Sequence, residues 1–310
     1  MKYLIIGSGG TGGCIGAYMT RAKADVAMIA RGCHLEAIRR NGLFMETTAF
    51  GQFTVYPKIS AAEEYSESPD IIFVCVKGYS LDGVIPFIKR IAGKDTIVIP
   101  VLNIYTVGEY LQEKLPEITV ADGCIYVAAN ITDYGKIKMH GDIFRIIFGI
   151  RGREATAAEK IRLQQTAADL NSSGIMGIVS ENIRRDALLK FSYVSAQAAC
   201  GAYYGVTAGA MQKDGEARNC FIELVREIDT LAKAMGVDFG EDIVKRNLKI
   251  LADLLPSSST SMQRDIEAGK QSEIDGLIYS VADNGAKLGI ELPMYEKITR
   301  ELRSKLKNKY

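Results

Sequence analysis

The sequence predicts an α/β domain with a parallel sheet, followed by an all-α domain. In the first part of the chain, short apolar runs alternate with stretches of helical periodicity, which is typical of parallel strands covered by helices. From Glu181 onward nearly every segment has helical periodicity and no clear strand pattern remains. A chain of 310 residues has room for two domains of ordinary size. We place them at residues 1–176 and 177–310, with the boundary inside the run SSGIMGIVS.

The elements of the first domain follow in order from these patterns. The chain opens with the strand YLIIG and a helix over residues 11–21. Further on, the pattern predicts the strand VAMIA, a helix over 34–41, the strand IIFVCVK, a helix over 81–91 and the strand TIVIPVL. Between VAMIA and IIFVCVK, the runs LFMETT and FTVYPKI predict an antiparallel hairpin inserted into the pattern. β-rich runs on either side of Tyr134-Gly135 and a charged helix over 154–171 complete the domain.

Composition excludes several classes of function. Lys and Arg total 38 and Asp and Glu total 37, so no charge excess favours a nucleic acid or an anionic membrane as partner. The six cysteines are scattered without a CxxC spacing, and only His34 and His140 could join them, so we expect reduced thiols, no metal site and a cytoplasmic protein. The uncharged run from Phe191 to Gln212 is too polar for a membrane span and predicts a buried helix.

A glycine-rich turn connects the first strand to the first helix. Its residues match GxGxxG and are Gly7, Ser8, Gly9, Gly10, Thr11 and Gly12. In this setting Gly7 makes the turn, Gly9 lets a pyrophosphate approach the backbone, and Gly12 lets the helix pack closely on the strand. The N-terminus of the helix supplies N–H groups for the phosphates. The turn therefore predicts a Rossmann-type dinucleotide-binding domain, the alternative being a glycine-rich turn that binds nothing.

The second strand ends in Ala30-Arg31-Gly32, without the acidic residue that usually holds the ribose of NAD. Arg31 is placed to hold a 2′-phosphate, which predicts NADPH/NADP⁺ as the cofactor; a solvated loop arginine is the alternative. Lys77 and Asn103 follow two later strands at their carboxyl ends, where doubly wound sheets bind ligands. Both are also ordinary loop residues.

Motifs along essentially the whole chain resemble the ketopantoate reductase (2-dehydropantoate 2-reductase) family. The matching motifs are GSGGTGG, Arg31, VKGYS with Lys77, LN with Asn103, ENIRRDALLKF with Lys190, SSSTSMQRDIEAGKQSEID with Ser261 and Glu273, and GIELP with Pro293. The SMQRD–SEID segment is far more specific than the glycine turn.

The resemblance implies a Rossmann-type N-domain, a helical C-domain, an active site in the cleft between them and reduction of a 2-oxo acid by NADPH for pantothenate biosynthesis. Lys190 matches the general acid that protonates the carbonyl oxygen. Glu273 matches the carboxylate that binds the substrate hydroxyl and orients the lysine. The remaining matched positions are Asn103 and Ser261 for nicotinamide and substrate, and Arg31 and Lys77 for the cofactor. Ser258 stands where the family has an asparagine, and we expect it to contact the substrate.

The chemistry of hydride addition independently favours a lysine. Adding hydride to a ketone places negative charge on oxygen, and a cation within hydrogen-bond reach stabilises that charge and can supply a proton. Lys190 could instead extend to water from a helix end. Glu273 also fits a capping box over Ser272–Asp275, and Ser261 could belong to a cap at Thr260–Gln263.

Some positions depart from the family pattern and leave the substrate open. The departures are Ile104 after the asparagine, Val194 one turn after Lys190, Ser258, and Ile278-Tyr279. They put the substrate in doubt more than the reduction, because groups that would bond a substrate hydroxyl are apolar or bulky here. The alternatives are therefore another 2-oxo acid on the same fold and a non-catalytic NADP-binding regulatory module. The small residues over 201–210 could pack within the domain or across a homodimer, and we expect a dimer.

Overall fold

The computed structural model describes residues 1–307 and divides into two compact units. Unit 1 comprises Met1–Leu102 and Thr106–Ile183, and unit 2 comprises Asn103–Tyr105 and the described chain from Arg184 onward.

Unit 1 contains strands and helices in alternation. Its strands are β1 (Lys2–Ile6), β2 (Asp25–Ile29), β3 (Leu43–Thr47), β4 (Gly51–Val55), β5 (Lys58–Ser60), β6 (Ile71–Val74), β7 (Ile97–Pro100), β8 (Thr119–Val120), β9 (Asp122–Asp133), β10 (Lys136–Gly149) and β11 (Met176–Val179). Its helices are α1 (Gly10–Arg21), α2 (Gly32–Asn41), α3 (Leu81–Ile91), α4 (Val107–Lys114) and α5 (Ala157–Ser172).

The first sheet confirms the predicted parallel α/β core. Its strand order is β5-β2-β1-β6-β7-β8, and every neighbouring pair is parallel. All residues of β6 and β7 are buried, as expected for strands covered on both faces. Helix α1 lies close to the sheet because it carries glycines: a Cβ on Gly16 would overlap the side chain of Met28.

The second sheet, in the order β11-β10-β3-β4 with β9 paired to β10, holds the predicted hairpin. Strands β3 and β4 are antiparallel as expected, with Leu43 opposite Val55. The run FTVYPKI, however, is not one strand: β4 ends at Val55, and β5 after Pro57 pairs with β2 in the first sheet. Proline lacks the N–H that a continuous ladder would need. The hairpin is also not isolated, since β3 pairs with β10.

The structure divides the chain after Ile183, whereas the sequence predicted a division between residues 176 and 177. The reason is β11, which pairs in parallel with β10 from Met176 opposite Arg145 to Val179 opposite Phe148. Those ladder bonds keep the segment in unit 1. The predicted boundary fell inside a strand too short to stand out from its helical surroundings.

Unit 2 is helical, as predicted. Its helices are α6 (Ile183–Tyr204, beginning at the last residue of unit 1), α7 (Ala208–Gln212), α8 (Glu216–Ala234), α9 (Ile243–Ala252), α10 (Ser261–Glu267), α11 (Ser280–Leu288) and α12 (Pro293–Lys307), with a π-helical turn at Asp275–Tyr279.

Helix α6 carries most of the uncharged run. Ser192, Ser195 and the alanines between Ser195 and Cys200 are fully buried. Two glycines of the run pack within the unit, since a Cβ on Gly201 would overlap Gln263 and one on Gly209 would lie 2.9 Å from Pro256. No helix within residues 1–307 has the length and apolar character needed to cross a membrane. That stretch of the chain also holds no cluster of His, Cys, Asp or Glu suited to a metal ion.

Candidate active site

The glycine turn has the tight geometry that its sequence predicts. Gly7 has φ +98°, a left-handed conformation that favours glycine. A Cβ on Gly7 would lie 3.0 Å from the backbone of Cys75 and Val76, at the end of β6. A Cβ on Gly12 would overlap the carbonyl oxygen of Gly7. The turn and the first helical residues therefore accept no side chain at these two positions.

The space beside Gly9 fits a pyrophosphate. Gly9 is the N-cap of α1, no side chain caps the helix, and no acidic residue lies in its first turn. Apart from Gly9 and its two neighbours in the chain, no heavy atom lies within 4 Å of the position that a Cβ on Gly9 would take. Helix N-terminal N–H groups and the positive end of the helix dipole attract an anion into such a space. The chain thus has room and hydrogen-bond donors for the phosphates of a dinucleotide at this turn.

The neighbouring residues of the turn are held by packing. Ser8 is buried, and a Cβ on Gly10 would lie 2.8 Å from the carbonyl oxygen of Ala129 in β9. Thr11 is half-buried in the first turn of α1. Burial raises the pKa of the nearby Cys75 thiol, which keeps it neutral where an anion would bind.

The segments carrying Arg31 and Lys77 flank the glycine turn. The N–H of Gly7 donates to Ile29 at the end of β2 (3.3 Å), and the N–H of Cys75 beyond β6 donates to Ile6 (2.8 Å). Arg31 follows β2 as the exposed N-cap of α2, and Lys77 follows β6, half-buried, ahead of a short 3₁₀ turn. Three predicted cofactor-binding segments therefore lie at one edge of the sheet, where parallel strands end.

Lys190 and Asn103 meet directly in unit 2. Lys190 lies in α6 with 8% of its surface exposed, and its Nζ donates to Asn103 Oδ1 at 2.5 Å. Nearby residues of the same two segments also meet: the ring centroids of Tyr105 and Phe191 are 6.1 Å apart. The lysine does not extend into water, and its ammonium is oriented by a neutral amide oxygen.

Glu273 precedes the π-helical turn and is also buried, with 7% of its surface exposed. Its carbonyl accepts from the N–H of Leu277 (3.0 Å). The same turn lies against the residue after Asn103, because a Cβ on Gly276 would overlap the Ile104 side chain. The chain segments that carry Lys190 and Glu273 thus both contact the tripeptide 103–105. This arrangement groups the two predicted catalytic residues and Asn103 within unit 2.

Ser195 makes a contact to this turn that sequence reasoning missed. It lies on α6 beyond Lys190 and is fully buried. Its Oγ donates to the carbonyl of Leu277 at 2.6 Å and lies 2.6 Å from the hydroxyl of Tyr295. A π-helical turn leaves carbonyls without their usual helical partners, and single π turns are frequent at functional sites. Ser195 therefore fixes the segment that begins at Glu273 against α6; a serine in an uncharged helix was the only signal in the sequence.

Ser258 and Ser261 belong to the start of α10. Thr260 and Gln263 form the capping box that the sequence suggested, and Ser261 is the first helical residue, half-buried. The carbonyl of Ser258 accepts from the N–H of Ala208 (2.9 Å), and Gln263 donates to the carbonyl of Val206 (2.9 Å). These contacts join the segment to the end of α6 and the start of α7. The substrate-binding role of both serines stays a prediction.

A glycine turn suited to a dinucleotide, together with a buried lysine oriented by an asparagine, defines a class of protein: a nicotinamide-dependent oxidoreductase. Residues 3–152 match the sequence model described as "Ketopantoate reductase PanE/ApbA", and residues 182–306 match "Ketopantoate reductase PanE/ApbA C terminal". The chain therefore belongs to the ketopantoate reductase family, whose members are oxidoreductases that act on a CH–OH group with NADP.

Two relatives align over almost their whole length. The chain is 26% identical over 304 residues to the uncharacterized oxidoreductase YkpB of Bacillus subtilis (strain 168), covering 97% of this chain and 98% of the relative. It is 24% identical over 310 residues to the 2-dehydropantoate 2-reductase of Aquifex aeolicus (strain VF5), covering 98% and 97% respectively.

Solved structures share the complete fold. A PanE/ApbA family ketopantoate reductase from Ralstonia eutropha JMP134 has a TM-score of 0.87 at 26% identity, covering 98% of this chain and 97% of that one. A D-mandelate dehydrogenase with NADH and anilino(oxo)acetate has a TM-score of 0.87 at 20% identity, covering 98% of both chains. A dimeric ketopantoate reductase from Staphylococcus aureus has a TM-score of 0.84 at 20% identity, covering 100% of both. The latter two likenesses show the fold alone.

Proposed function

We propose that this protein reduces ketopantoate (2-dehydropantoate) to pantoate with NADPH. The observation that carries the proposal is the buried Lys190 ammonium, hydrogen bonded to Asn103. When bound, NADPH supplies the hydride for the carbonyl carbon. Lys190 then stabilises the negative charge on the substrate oxygen and donates a proton to it, which is worth about 10²–10⁴ in rate for general acid catalysis.

In this proposal the other residues hold the reacting groups. Asn103 Oδ1 accepts from the ammonium and fixes its direction. Glu273 binds the substrate hydroxyl, and Ser258 and Ser261 contact the substrate. Gly7 to Gly12, Arg31 and Lys77 hold the cofactor, with Arg31 on the 2′-phosphate.

The test is turnover of purified protein with ketopantoate and each nicotinamide cofactor, followed by the absorbance of the reduced cofactor. We expect oxidation of NADPH much faster than that of NADH. Tight NADPH binding without turnover on any 2-oxo acid would contradict the proposal and favour the alternative, a non-catalytic NADP-binding regulatory module.

A second 2-oxo acid is favoured by one specific contact. Ile104, the residue after Asn103, is packed directly on Gly276, and Ile278 and Tyr279 of the same π turn are buried. An apolar surface next to Asn103, the partner of Lys190, suits a substrate that lacks a distal hydroxyl, because an unpaired buried hydroxyl costs about 1–3 kcal/mol. A panel of 2-oxo acids with and without that hydroxyl separates the two substrates: a clear preference for ketopantoate eliminates this alternative.

The setting of the activity is also part of the proposal. We place it in pantothenate biosynthesis in the cytoplasm, consistent with the six reduced cysteines. Complementation of a strain that requires pantoate tests the pathway.

We further expect a homodimer. Since Gly201 and Gly209 are covered by Gln263 and Pro256 within unit 2, these two glycines do not supply its contact surface. Light scattering of the purified protein tests the dimer.

A further inference from the structure

His34 makes hydrogen bonds with both ring nitrogens. It lies in the first turn of α2, next to the segment that carries Arg31. The backbone N–H of Gly135 donates to His34 Nδ1 (3.1 Å), and His34 Nε2 lies 2.9 Å from the carbonyl oxygen of Ser8. An N–H can only donate, so Nδ1 is an acceptor and the ring proton is on Nε2, which donates to Ser8. The geometry thus requires a neutral imidazole in one tautomer.

The surroundings of His34 favour that neutral form. The ring is half-buried, and burial lowers its pKa from the ordinary value. Its position in the first helical turn, near the positive end of the α2 dipole, acts in the same direction.

The bond to Ser8 determines where the next N–H points. The carbonyl of Ser8 and the N–H of Gly9 belong to one planar trans peptide and point in opposite directions. Holding the carbonyl toward His34 therefore directs the Gly9 N–H away from it. Gly9 is the N-cap of α1, and the space beside it is open. We propose that His34 is a positioning residue for the dinucleotide: it clamps the Ser8-Gly9 peptide so that the Gly9 N–H faces the phosphates.

The other end of the clamp is anchored in the second sheet. Gly135 forms the turn between β9 and β10 with φ +73°, and its carbonyl accepts from the N–H of Phe44 in β3 (2.9 Å). A Cβ on Gly135 would lie 3.2 Å from Ala37 of α2. His34 therefore connects the glycine turn to a rigid part of unit 1, which is what a clamp requires.

Few charged or titratable groups share this environment. On α2 they are Arg31 and Cys33, which flank the first turn. On the β9–β10 turn they are Asp133 and Lys136, which pair with each other at 3.1 Å, and the exposed Tyr134. Residues 7–13 of the glycine turn contain none. Protonation of Nδ1 would set two donors, that nitrogen and the Gly135 N–H, against each other, so acid should release the clamp.

Three substitutions separate positioning from simple support. In His34→Gln the carboxamide N–H can still reach Ser8, in His34→Asn the shorter carbonyl can reach only Gly135, and His34→Ala loses both bonds. We expect the dissociation constant for NADPH, measured by calorimetry on the full chain, to rise about tenfold in the Ala and Asn variants. The Gln variant should stay within about threefold of wild type. The KM for NADPH should follow the same order while kcat at saturating NADPH stays constant.

The pH dependence of NADPH affinity distinguishes the proposed role of His34 from a purely structural one. Because burial lowers the pKa of His34, the affinity of wild type for NADPH should fall in acid at a pH below the ordinary histidine value of about 6.5. The 2′-phosphate titrates in the same range, so His34→Gln is the reference, since it keeps that contribution and lacks the imidazole. His140→Gln, which alters the exposed histidine of β10, is the matched control and should keep the wild-type profile.

This inference rests on the proposed function only in requiring that the protein binds NADPH. Failure of the clamp can therefore be told apart from failure of the proposed function. Wild type that fails to bind NADPH would contradict both. Wild type that binds NADPH while His34→Gln shows the same pH profile, or while His34→Asn binds as well as His34→Gln, overturns the clamp alone. If His34→Ala does not fold, the comparison of wild type with His34→Gln still decides.

Discussion

The glycine turn of unit 1 and the lysine cluster of unit 2 use different parts of the chain for their chemistry. The turn offers backbone N–H groups and space, created by the absence of side chains at Gly7, Gly9 and Gly12. The cluster offers side chains, Lys190 and Asn103, in contact although far apart in sequence. A backbone site depends on local conformation, whereas a side-chain site depends on long-range packing. The two should therefore respond differently to substitution.

The largest effect is expected from Lys190→Ala. Loss of the general acid should lower kcat by about 10²–10⁴, because the charge on the substrate oxygen is no longer stabilised. Stopped-flow turnover measures the effect. Lys249→Ala, an exposed lysine of α9, is the matched control and should turn over normally. Normal turnover of Lys190→Ala would remove the residue from the mechanism.

Arg31→Ala should act on cofactor choice alone. Charge-assisted bonds to a phosphate are worth about 1.5–3 kcal/mol, so NADPH affinity should fall about 10- to 150-fold. NADH, which lacks the 2′-phosphate, should bind unchanged. Titration of both cofactors measures the ratio, with Arg40→Ala, exposed at the other end of α2, as control. Equal losses for the two cofactors would show that Arg31 does not read the 2′-phosphate.

Of two alanine substitutions in the glycine turn, one should weaken NADPH binding and the other should lower the stability of the fold. Gly9→Ala meets open space in the protein, so unfolding stability should change little, but the methyl group would occupy the space for pyrophosphate and weaken NADPH binding about tenfold or more. Gly12→Ala would overlap the Gly7 carbonyl and should lower stability by about 1–3 kcal/mol. Urea unfolding and NADPH titration of both variants check the pair. Equal NADPH affinity in Gly9→Ala and wild type would place the phosphates elsewhere.

The smallest effects concern how each unit fixes its helices. In unit 1, Glu159 binds Arg153, accepts from the backbone N–H of Thr156 at the start of α5 and accepts from Thr119, and these bonds lower its pKa to about 2. As pH falls, the Glu159 carboxylate is therefore protonated at a higher pH in the unfolded chain than in the folded chain. Stability of about 1–3 kcal/mol, fully present above about 4.5, should be lost as pH falls toward 2.

The corresponding contact in unit 2 does not titrate. Ser195→Ala leaves the Leu277 carbonyl without this donor and should cost about 1–3 kcal/mol at every pH. Urea unfolding of Ser195→Ala and Glu159→Gln across pH checks both: only the cost of Glu159→Gln should shrink in acid. A cost for Ser195→Ala that changed with pH would contradict this assignment.

The sequence predicted the features whose cause is local. Uninterrupted apolar runs predicted the parallel strands, and the glycine spacing predicted the tight turn at Gly7 and the close packing at Gly12. The change from alternating strands and helices to helices alone predicted a helical second domain. These features depend on residues within a few positions of one another, so they can be inferred from a single sequence.

The features that were missed depend on contacts between distant segments. Nothing local shows that β3 pairs with β10, or that β5 leaves the hairpin for the first sheet. The π-helical turn forms where Ser195 can bind Leu277, and no pattern in either segment reveals it. Lys190 itself was identified through resemblance to a family, because a lysine at the edge of an apolar helix is otherwise an ordinary boundary residue.

The most direct test of the division between a cofactor site and a catalytic cluster is a crossed measurement on two variants. NADPH affinity and kcat at saturating NADPH are determined for Gly9→Ala and Lys190→Ala in parallel. We expect Gly9→Ala to lose affinity and keep kcat, and Lys190→Ala to keep affinity and lose kcat. If Lys190→Ala loses affinity as strongly as it loses turnover, the two functions are not separated in this way.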